Sequence, residues 1–340
     1  SSCPPDTLGT PDILLLLCEE LAVIDNLSGK LYFIVYVNPA EAEAYSKGKK
    51  RMRQLKEQLR YSVSVPQIKG GDRHPAERSF AKQDYLKAVE HAKELIAAGD
   101  FMQVQVGQRI HKRYTESPLS LYRALRSLNP SPYMYFYNFG DFQVVGSSPE
   151  ILVRQEQVEE GQKITIRPLA GTRPRGSTPE KDKATEQELM ADPKERAEHV
   201  MLIDLARNDI GRIAKTGSVK VTEAFVVERY SHVMHIVSNV EGILQDGMTS
   251  MDVLKATFPA GTLSGAPKVH AMELIDQLEP TKRGIYGGAV GYLSFAGHMD
   301  MAIAIRTGVI KNGQLYVQAA AGVVADSVPE MEWRATEHKA

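Results

Sequence analysis

The sequence predicts an α+β protein built on largely antiparallel sheets. Short apolar runs of strand length recur along the chain, several joined by tight turns, as hairpins are. Helix-spaced segments come in groups between them, not one after each strand, which argues against a doubly wound parallel sheet. Near the end, Lys311-Asn312-Gly313 joins two apolar runs, and Asn-Gly is the strongest short hairpin signal.

The elements follow in order. Residues 1–10 hold two prolines, Pro4 and Pro5, and read as an irregular lead-in. Residues 21–37 give two apolar runs around an Asn/Gly turn, a hairpin, and 40–62, rich in Ala, Glu, Lys and Arg, read as a helix. The polar stretch 67–79 reads as a linker, with a domain boundary near residue 80. A helix is expected from Asp84 to Ala98, ending at Gly99, a residue suited to a left-handed cap. Strands are expected at 102–113, 133–139, 142–146 and 163–167, and helix over 179–213. Residues 219–244 read mostly as strand, 250–257 and 267–278 as helices. Strands at 285–295, 300–310 and 314–324 precede a last helix from Pro329 to Ala340. There is no internal repeat and no low-complexity tract.

Composition narrows the function classes. The 340 residues allow two domains, 1–79 and 80–340, the second large enough for a sizeable core. Apolar residues at 43% and charged residues at 24% exclude disordered and fibrous classes. Lys and Arg number 41 against 42 Asp and Glu, so no basic footprint for nucleic acid or membrane exists. Two cysteines, Cys3 and Cys18, exclude a disulfide scaffold and a cysteine zinc site. No apolar run, 13–18 included, is long enough to span a bilayer, so a soluble cytoplasmic protein is expected.

Six segments carry chemistry. In 192–212, Glu195 and Glu198 lie three apart and so share a helix face; paired oxygen donors suit Mg(II), and acids early in a helix also suit its dipole. The loop 167–176 offers Arg173 and Arg175 to an anion, or is simply a loop. FPAGTLSGAPK at 258–268 offers amides and hydroxyls at a helix start, but without the spacing of a P-loop. GIYGGAVGY at 284–292 lets backbone approach a ligand closely. Arg306, inside an apolar strand, needs either a carboxylate ligand or an internal partner. His235 sits on another apolar strand, where histidines are commonly structural. Glu332 and Lys339 on the last helix read equally as surface charges. Together these residues describe a site for a small dicarboxylate, with paired acids for a metal.

The segments SSPE (147–150), RPLAGTRPRG (167–176), ERAEHVMLIDLARNDIG (195–211), VMHIVSNVEG (233–242), AGTLSGAPK (260–268), IYGGAVGY (285–292) and MAIAIRTGV (301–309) stand in one order. In this the chain resembles the chorismate-utilising enzymes, and among them the large subunits of anthranilate synthase. The resemblance covers roughly residues 80–340, and residues 11–65 are similar to the sheet and helix that precede that domain. The Leu-Leu-Glu-Ser segment of the family's N-terminal region is missing, so the chain reads as a trimmed large subunit. The resemblance implies two packed antiparallel sheets with outer helices and a cleft for chorismate and Mg(II).

It also implies residue roles. Glu198 would hold the metal, with Glu195 and Glu332 beside it. Tyr286, Arg306 and the backbone at Gly322 would take the substrate carboxylates, with Ala170, Gly171, Thr172, Thr262 and Lys339 nearby. Glu150 would protonate the leaving C4 hydroxyl, and His235 would assist loss of pyruvate. Relatives that use water carry a lysine where this chain has Gln103, and an amide is no general base. Aminodeoxychorismate synthases commonly carry a nucleophilic lysine where this chain has Ala170. Both positions point to ammonia attack at C2 and an ortho product. Ammonia would come from a glutamine amidotransferase subunit, since no Cys-His glutaminase is present.

Two positions depart from the family pattern. Ala335 stands where the family's last helix supplies a second glutamate ligand, and Glu337, two residues on, lies roughly 200° round the helix. NPSPYM at 129–134 resembles half of a tryptophan effector site, with Pro132, Tyr133 and Met134 as contacts. The other half is missing, so tryptophan inhibition is expected to be weak or absent. A sister enzyme that stops at 2-amino-2-deoxyisochorismate, an aminodeoxychorismate-type enzyme, and a non-catalytic chorismate-binding or subunit-docking protein are the alternative readings.

Overall fold

A computed structural model describes residues 3–65, 74–230 and 232–340. They fall into two compact units, Pro11–Gln67 and Ser1–Thr10 with Ile68–Ala340. The smaller unit holds the expected hairpin, β1 (Glu20–Asp25) with β2 (Lys30–Val35) in antiparallel register, Asp25 opposite Lys30. Helix α1 (Ala44–Gln58) follows.

In the larger unit, β3 (Glu77–Arg78) pairs with β4 (Gln103–Arg113), so the end of the expected linker is strand; 66–73 lie outside the described residues. Between them α2 (Lys82–Ala98) ends at Gly99, whose φ of 87° is the left-handed cap that glycine adopts without cost. Then come α3 (Pro118–Leu128), β5 (Tyr133–Asn138), β6 (Phe142–Ser148), β7 (Ile151–Val158), β8 (Gly161–Ile166) and β9 (Leu169–Pro174). Periodicity did not anticipate α3, β7 or β9. Strand β7 is one: its buried Ile151–Leu152–Val153 run reads as core without alternating.

The single helix expected over 179–213 is two, α4 (Pro179–Ala191) and α5 (Pro193–Gly211). Pro193 has no N–H to continue α4, while the Asp192 carboxylate accepts from the amides of Lys194 and Glu195 and caps α5. Next are β10 (Lys220–Arg229), β11 (Val233–Ile243), α6 (Ser250–Thr257), a 3₁₀ turn at Gly261–Leu263, β12 (Gly265–Ala266) and α7 (Lys268–Leu278). The expected strand 285–295 shortens to β13 (Ala289–Leu293). The strand expected at 300–310 is broken: β14 (Met299–Ile303) and β15 (Thr307–Lys311) are separate. Arg306, at φ 49°, stands between them, not inside a strand as expected. The Asn312-Gly313 turn then leads into β16 (Gln314–Val323), and α8 (Pro329–Lys339) ends the chain.

Two seven-stranded sheets result, ordered β10-β11-β8-β7-β14-β13, with β9 on β11, and β12-β4-β16-β15-β6-β5, with β3 on β4. Every pairing in them is antiparallel. Helices α5 and α6 pack on the first sheet around Leu152, Ile164, Ile203, Ile210 and Met299. Helices α2, α7 and α8 pack on the second around Tyr85, Val104, Val106, Leu274 and Trp333. Alternation in β4 sends Val104 and Val106 to those helices and leaves Gln103 and Gln105 on the opposite face, toward Gly322 of β16. The chain passes from the first sheet to the second at residues 304–306, and the polar residues of interest collect there.

Candidate active site

Glu150 closes the turn between β6 and β7 and is 7% exposed. Its backbone is pinned by Ile303 N–H donating to Glu150 O at 3.0 Å. Burial pushes its carboxyl up to about 8, against the pull of the Thr262 hydroxyl, the Arg306 guanidinium, the Lys339 ammonium and the Leu169 amide. Glu150 is therefore mostly protonated at neutral pH, and a cationic pair stands ready to receive its charge. Arg306 is held in the left-handed region, a conformation that costs a non-glycine residue energy and that clusters at functional sites. Its guanidinium is drawn down by burial and supported by Glu150 and Tyr230.

Lys339, on the last turn of α8, has an exposed stem, but its Nζ turns in to donate to Ala320 O at 2.9 Å. Burial lowers its ammonium, while Glu198, Glu332 and Glu150 favour the charged form. The Ala320 amide also faces the Tyr286 hydroxyl, which burial raises far beyond its ordinary range. Tyr286, Lys339, Arg306 and Glu150 thus lie near one another.

His235 on β11 is 2% exposed. Its Nδ1 lies 3.1 Å from Gly171 O and 3.0 Å from Thr172 Oγ1 on β9. A carbonyl only accepts, so Nδ1 carries the hydrogen and Nε2 keeps its lone pair. Burial first, then Arg306, lowers the imidazole, which is neutral at pH 7. Ala170 is buried and pairs with Ile236 across the same ladder. The Tyr230 ring meets His235 edge-on at 5.5 Å, and its hydroxyl donates to Glu228 at 2.9 Å.

The acidic group lies on α5. Glu198 is raised by burial and by Glu195, and its Oε1 accepts from Gln103 Nε2 at 3.2 Å. Glu195 accepts from Arg173 at 2.9 Å, Arg173 also donates to Asp192 at 2.8 Å, and Arg175 is paired with Asp182 at 2.8 Å. Both loop arginines are thus spent on internal ion pairs, so the reading of them as an anion site is corrected. Glu337 pairs with Arg78 and Gln108 on the far side of α8 and takes no part. A Cβ on Gly322 would meet Gln103 Nε2 at 2.6 Å and Gln105 Nε2 at 2.9 Å, so only glycine lets that backbone stay open.

Glu195 and Glu198 are neighbouring carboxylates, and Gln103 Oε1 is buried with no hydrogen-bond partner among the described residues. Hard oxygen donors of this kind fit Mg(II), which binds through one or two carboxylates and keeps other ligands from water and substrate. No group of three His, Cys, Asp or Glu placed to hold a metal occurs among the described residues. The set therefore fits a cation shared with substrate, not one caged by protein alone.

Tyr133 and Met134 open edge strand β5 and Pro132 precedes it; the Tyr133 hydroxyl donates to Asp300 at 3.0 Å and accepts from Arg154 at 3.0 Å. Sequence reasoning passed over two buried ion pairs beside the site. Arg283 pairs with Glu279 and donates to the carbonyls of Leu263 and Gln105, and Lys268 pairs with Asp209. Charged residues inside otherwise apolar segments were the available signal.

The family profile described as chorismate binding enzyme matches residues 1–340. The chain belongs to the chorismate-binding enzymes. It is 59% identical over 335 residues to anthranilate synthase component 1 of Neisseria meningitidis, covering 98% of this chain and 67% of that protein. The same component of Pseudomonas aeruginosa is 58% identical over 347 residues, covering 100% of this chain and 69% of that protein. Among solved structures, anthranilate synthase component I of Streptococcus pneumoniae superposes with a TM-score of 0.90 at 43% identity, over 100% of this chain and 75% of that one. Two antiparallel sheets with outer helices are thus the fold of this family, as the sequence led one to expect.

Proposed function

We propose that this chain is the chorismate-converting subunit of an anthranilate synthase, joining ammonia to chorismate and releasing pyruvate. The observation that carries the reading is a buried, protonated Glu150 facing Arg306 and Lys339, with a neutral His235 that Arg306 also faces. Its relatives named anthranilate synthase component 1 support it.

Arg306, Tyr286 and the open backbone at Gly322 bind and orient the two carboxylates of the substrate. Glu150 donates its proton to the C4 hydroxyl, which departs as water as nitrogen bonds to C2 and the ring double bonds shift. Arg306 and Lys339 then stabilise the carboxylate left behind. The nitrogen gives up its extra proton, and His235 Nε2 takes the proton from C2 as the ring C3–O bond breaks; the ring becomes aromatic, and the side chain leaves as the enolate of pyruvate, which gains a proton at its methylene carbon from the imidazolium to become pyruvate. Holding Nδ1–H on Gly171 O keeps the basic nitrogen free for that task. Glu198, with Glu195 and Glu332 near it, would hold Mg(II), which when bound polarises the substrate and neutralises its carboxylate. Gln103 offers no base for water and Ala170 no amine for covalent catalysis, so ammonia is the nucleophile. A glutamine amidotransferase subunit would supply it.

A cytoplasmic location goes with this reading. No helix among the described residues is long and apolar enough to cross a membrane. The test is anthranilate fluorescence from chorismate with ammonium and Mg(II), with and without chelator. Formation of 2-amino-2-deoxyisochorismate without anthranilate would move the assignment to the sister enzyme.

A further inference from the structure

Glu228 and Tyr230 have no part in the proposed reaction so far, yet both stand beside His235. Glu228 on β10 is the register partner of His235 on β11, and His235 lies opposite Thr172 on β9. Residues paired directly across antiparallel strands share a face, with Cβ atoms about 5 Å apart. Glu228, His235 and Thr172 therefore form one row across three strands. Arg229 goes to the other face, where it pairs with Asp182 and Glu186 of α4. The Tyr230 ring meets the imidazole at 5.5 Å and 65°. Both groups are fixed in place. Glu228 Oε1 accepts from Arg167 at 2.6 Å and Oε2 from the Tyr230 hydroxyl at 2.9 Å. Burial and Glu228 push that hydroxyl up to about 12, so it stays a donor. The Tyr230 backbone is tied at both ends, its N–H to Val233 O at 2.8 Å and its carbonyl to Arg175 at 2.7 Å.

What these groups do follows from the charge that His235 acquires. At rest the ring is neutral. Once Nε2 has taken the C2 proton it is a buried cation that the Arg306 guanidinium also faces, and that arrangement is costly without a counter-charge. The Gly171 carbonyl supplies a dipole only. Glu228 faces the imidazole as a carboxylate and favours its charged form. Its partner Arg167 does not cancel it, because Arg167 also pairs with Glu223 at 3.3 Å, and two carboxylates on one guanidinium leave a net negative charge. We propose that Glu228 and Tyr230 are positioning residues for the second step: the Tyr230 ring fixes the plane of His235, and Glu228 balances the charge that the ring carries between taking the proton from C2 and returning it to the enolate. The inference rests on the anthranilate synthase reading and adds what separates loss of pyruvate from amination.

The test reads the two steps apart in the full chain with Mg(II). Supplied 2-amino-2-deoxyisochorismate reports the second step alone, and loss of chorismate with ammonium reports the first. Glu228→Gln removes the charge but leaves an oxygen for Tyr230, Glu228→Asp keeps the charge, and Tyr230→Phe keeps the ring; melting temperatures report whether each folds. In Glu228→Gln, release of pyruvate from the supplied intermediate is expected to slow by about tenfold or more. Its KM values for chorismate and ammonium stay within about twofold of the unmodified chain, so the intermediate accumulates. Glu228→Asp is expected to lose less than about threefold in the second step, and Tyr230→Phe about threefold. Should the folded variants slow both steps in proportion, or neither, or should Asp cost as much as Gln, the pair is structural only and the function stands. If the unmodified chain does not convert the supplied intermediate, the anthranilate synthase reading falls and the inference with it.

Discussion

Replacing Glu150 with glutamine separates stability from activity, and the structure gives the size of each effect. Burial raises this carboxyl from its ordinary 4.5 to about 8. Between those values the folded chain keeps a proton that the unfolded chain has released. Stability therefore falls as pH rises through that window, by about 1.4 kcal/mol per pH unit, and levels off above it. By pH 7 the accumulated loss is roughly 3 kcal/mol. Glutamine is uncharged throughout, so Glu150→Gln is expected to be the more stable protein at pH 7 to 8 and the less active one by about 10² or more, the usual worth of a positioned acid. Thermal unfolding of both proteins from pH 4.5 to 9 is the assay, read as the difference between them. His199, which burial holds at about 4, gives a slope of the opposite sign below pH 6.5 and cancels in that difference. Parallel curves, or a variant less stable at pH 8, would refute a buried neutral Glu150.

Three further outcomes follow from the geometry. Gly322→Ala pushes a methyl group against Gln103 and Gln105, which loosens the Gln103–Glu198 contact; a stability loss of about 1–3 kcal/mol and a higher KM for chorismate are expected, and an unchanged denaturation midpoint with unchanged KM would contradict the close approach. Ala335 lies three residues after Glu332 and four before Lys339, on one face of α8. Ala335→Glu adds a second carboxylate to that face and should lower the Mg(II) concentration for half-maximal activity by about tenfold; a requirement that stays the same or rises would show the helix faces elsewhere. Lys339→Met removes the ammonium that offsets Glu198, Glu332 and Glu150, so KM for chorismate should rise by about tenfold or more, and full activity in the variant would take Lys339 out of the site.

Much of this architecture was legible from local chemistry. The Asn312-Gly313 hairpin, the Gly99 cap and the helix at Ser250–Thr257 needed only turn and cap rules. What escaped depends on distant partners. Arg173 and Arg175 look like anion ligands until α4 and α5 fold back and offer Asp182, Asp192 and Glu195. Strand β9 is named only by its ladder to β11, because LAGTRP has no apolar alternation and a single β-branched residue, Thr172. Arg306 reads as lying inside one strand, and in the fold it stands in the break between β14 and β15, in the left-handed region, where the chain steps from one sheet to the other. The resemblance brought Glu150, Tyr286, Arg306 and Lys339 into one account, but not the Asp209–Lys268 pair, which forms only when α5 and α7 come together.

The most direct measurement is mass analysis of the products formed from chorismate and ¹⁵N-labelled ammonium in the presence of Mg(II). The account predicts anthranilate one mass unit heavier than normal, with pyruvate in equal amount, both lost in Glu150→Gln. An unlabelled product carrying a hydroxyl in place of the amine would mean that water is the nucleophile, and would contradict the roles given to Gln103 and to the site as a whole.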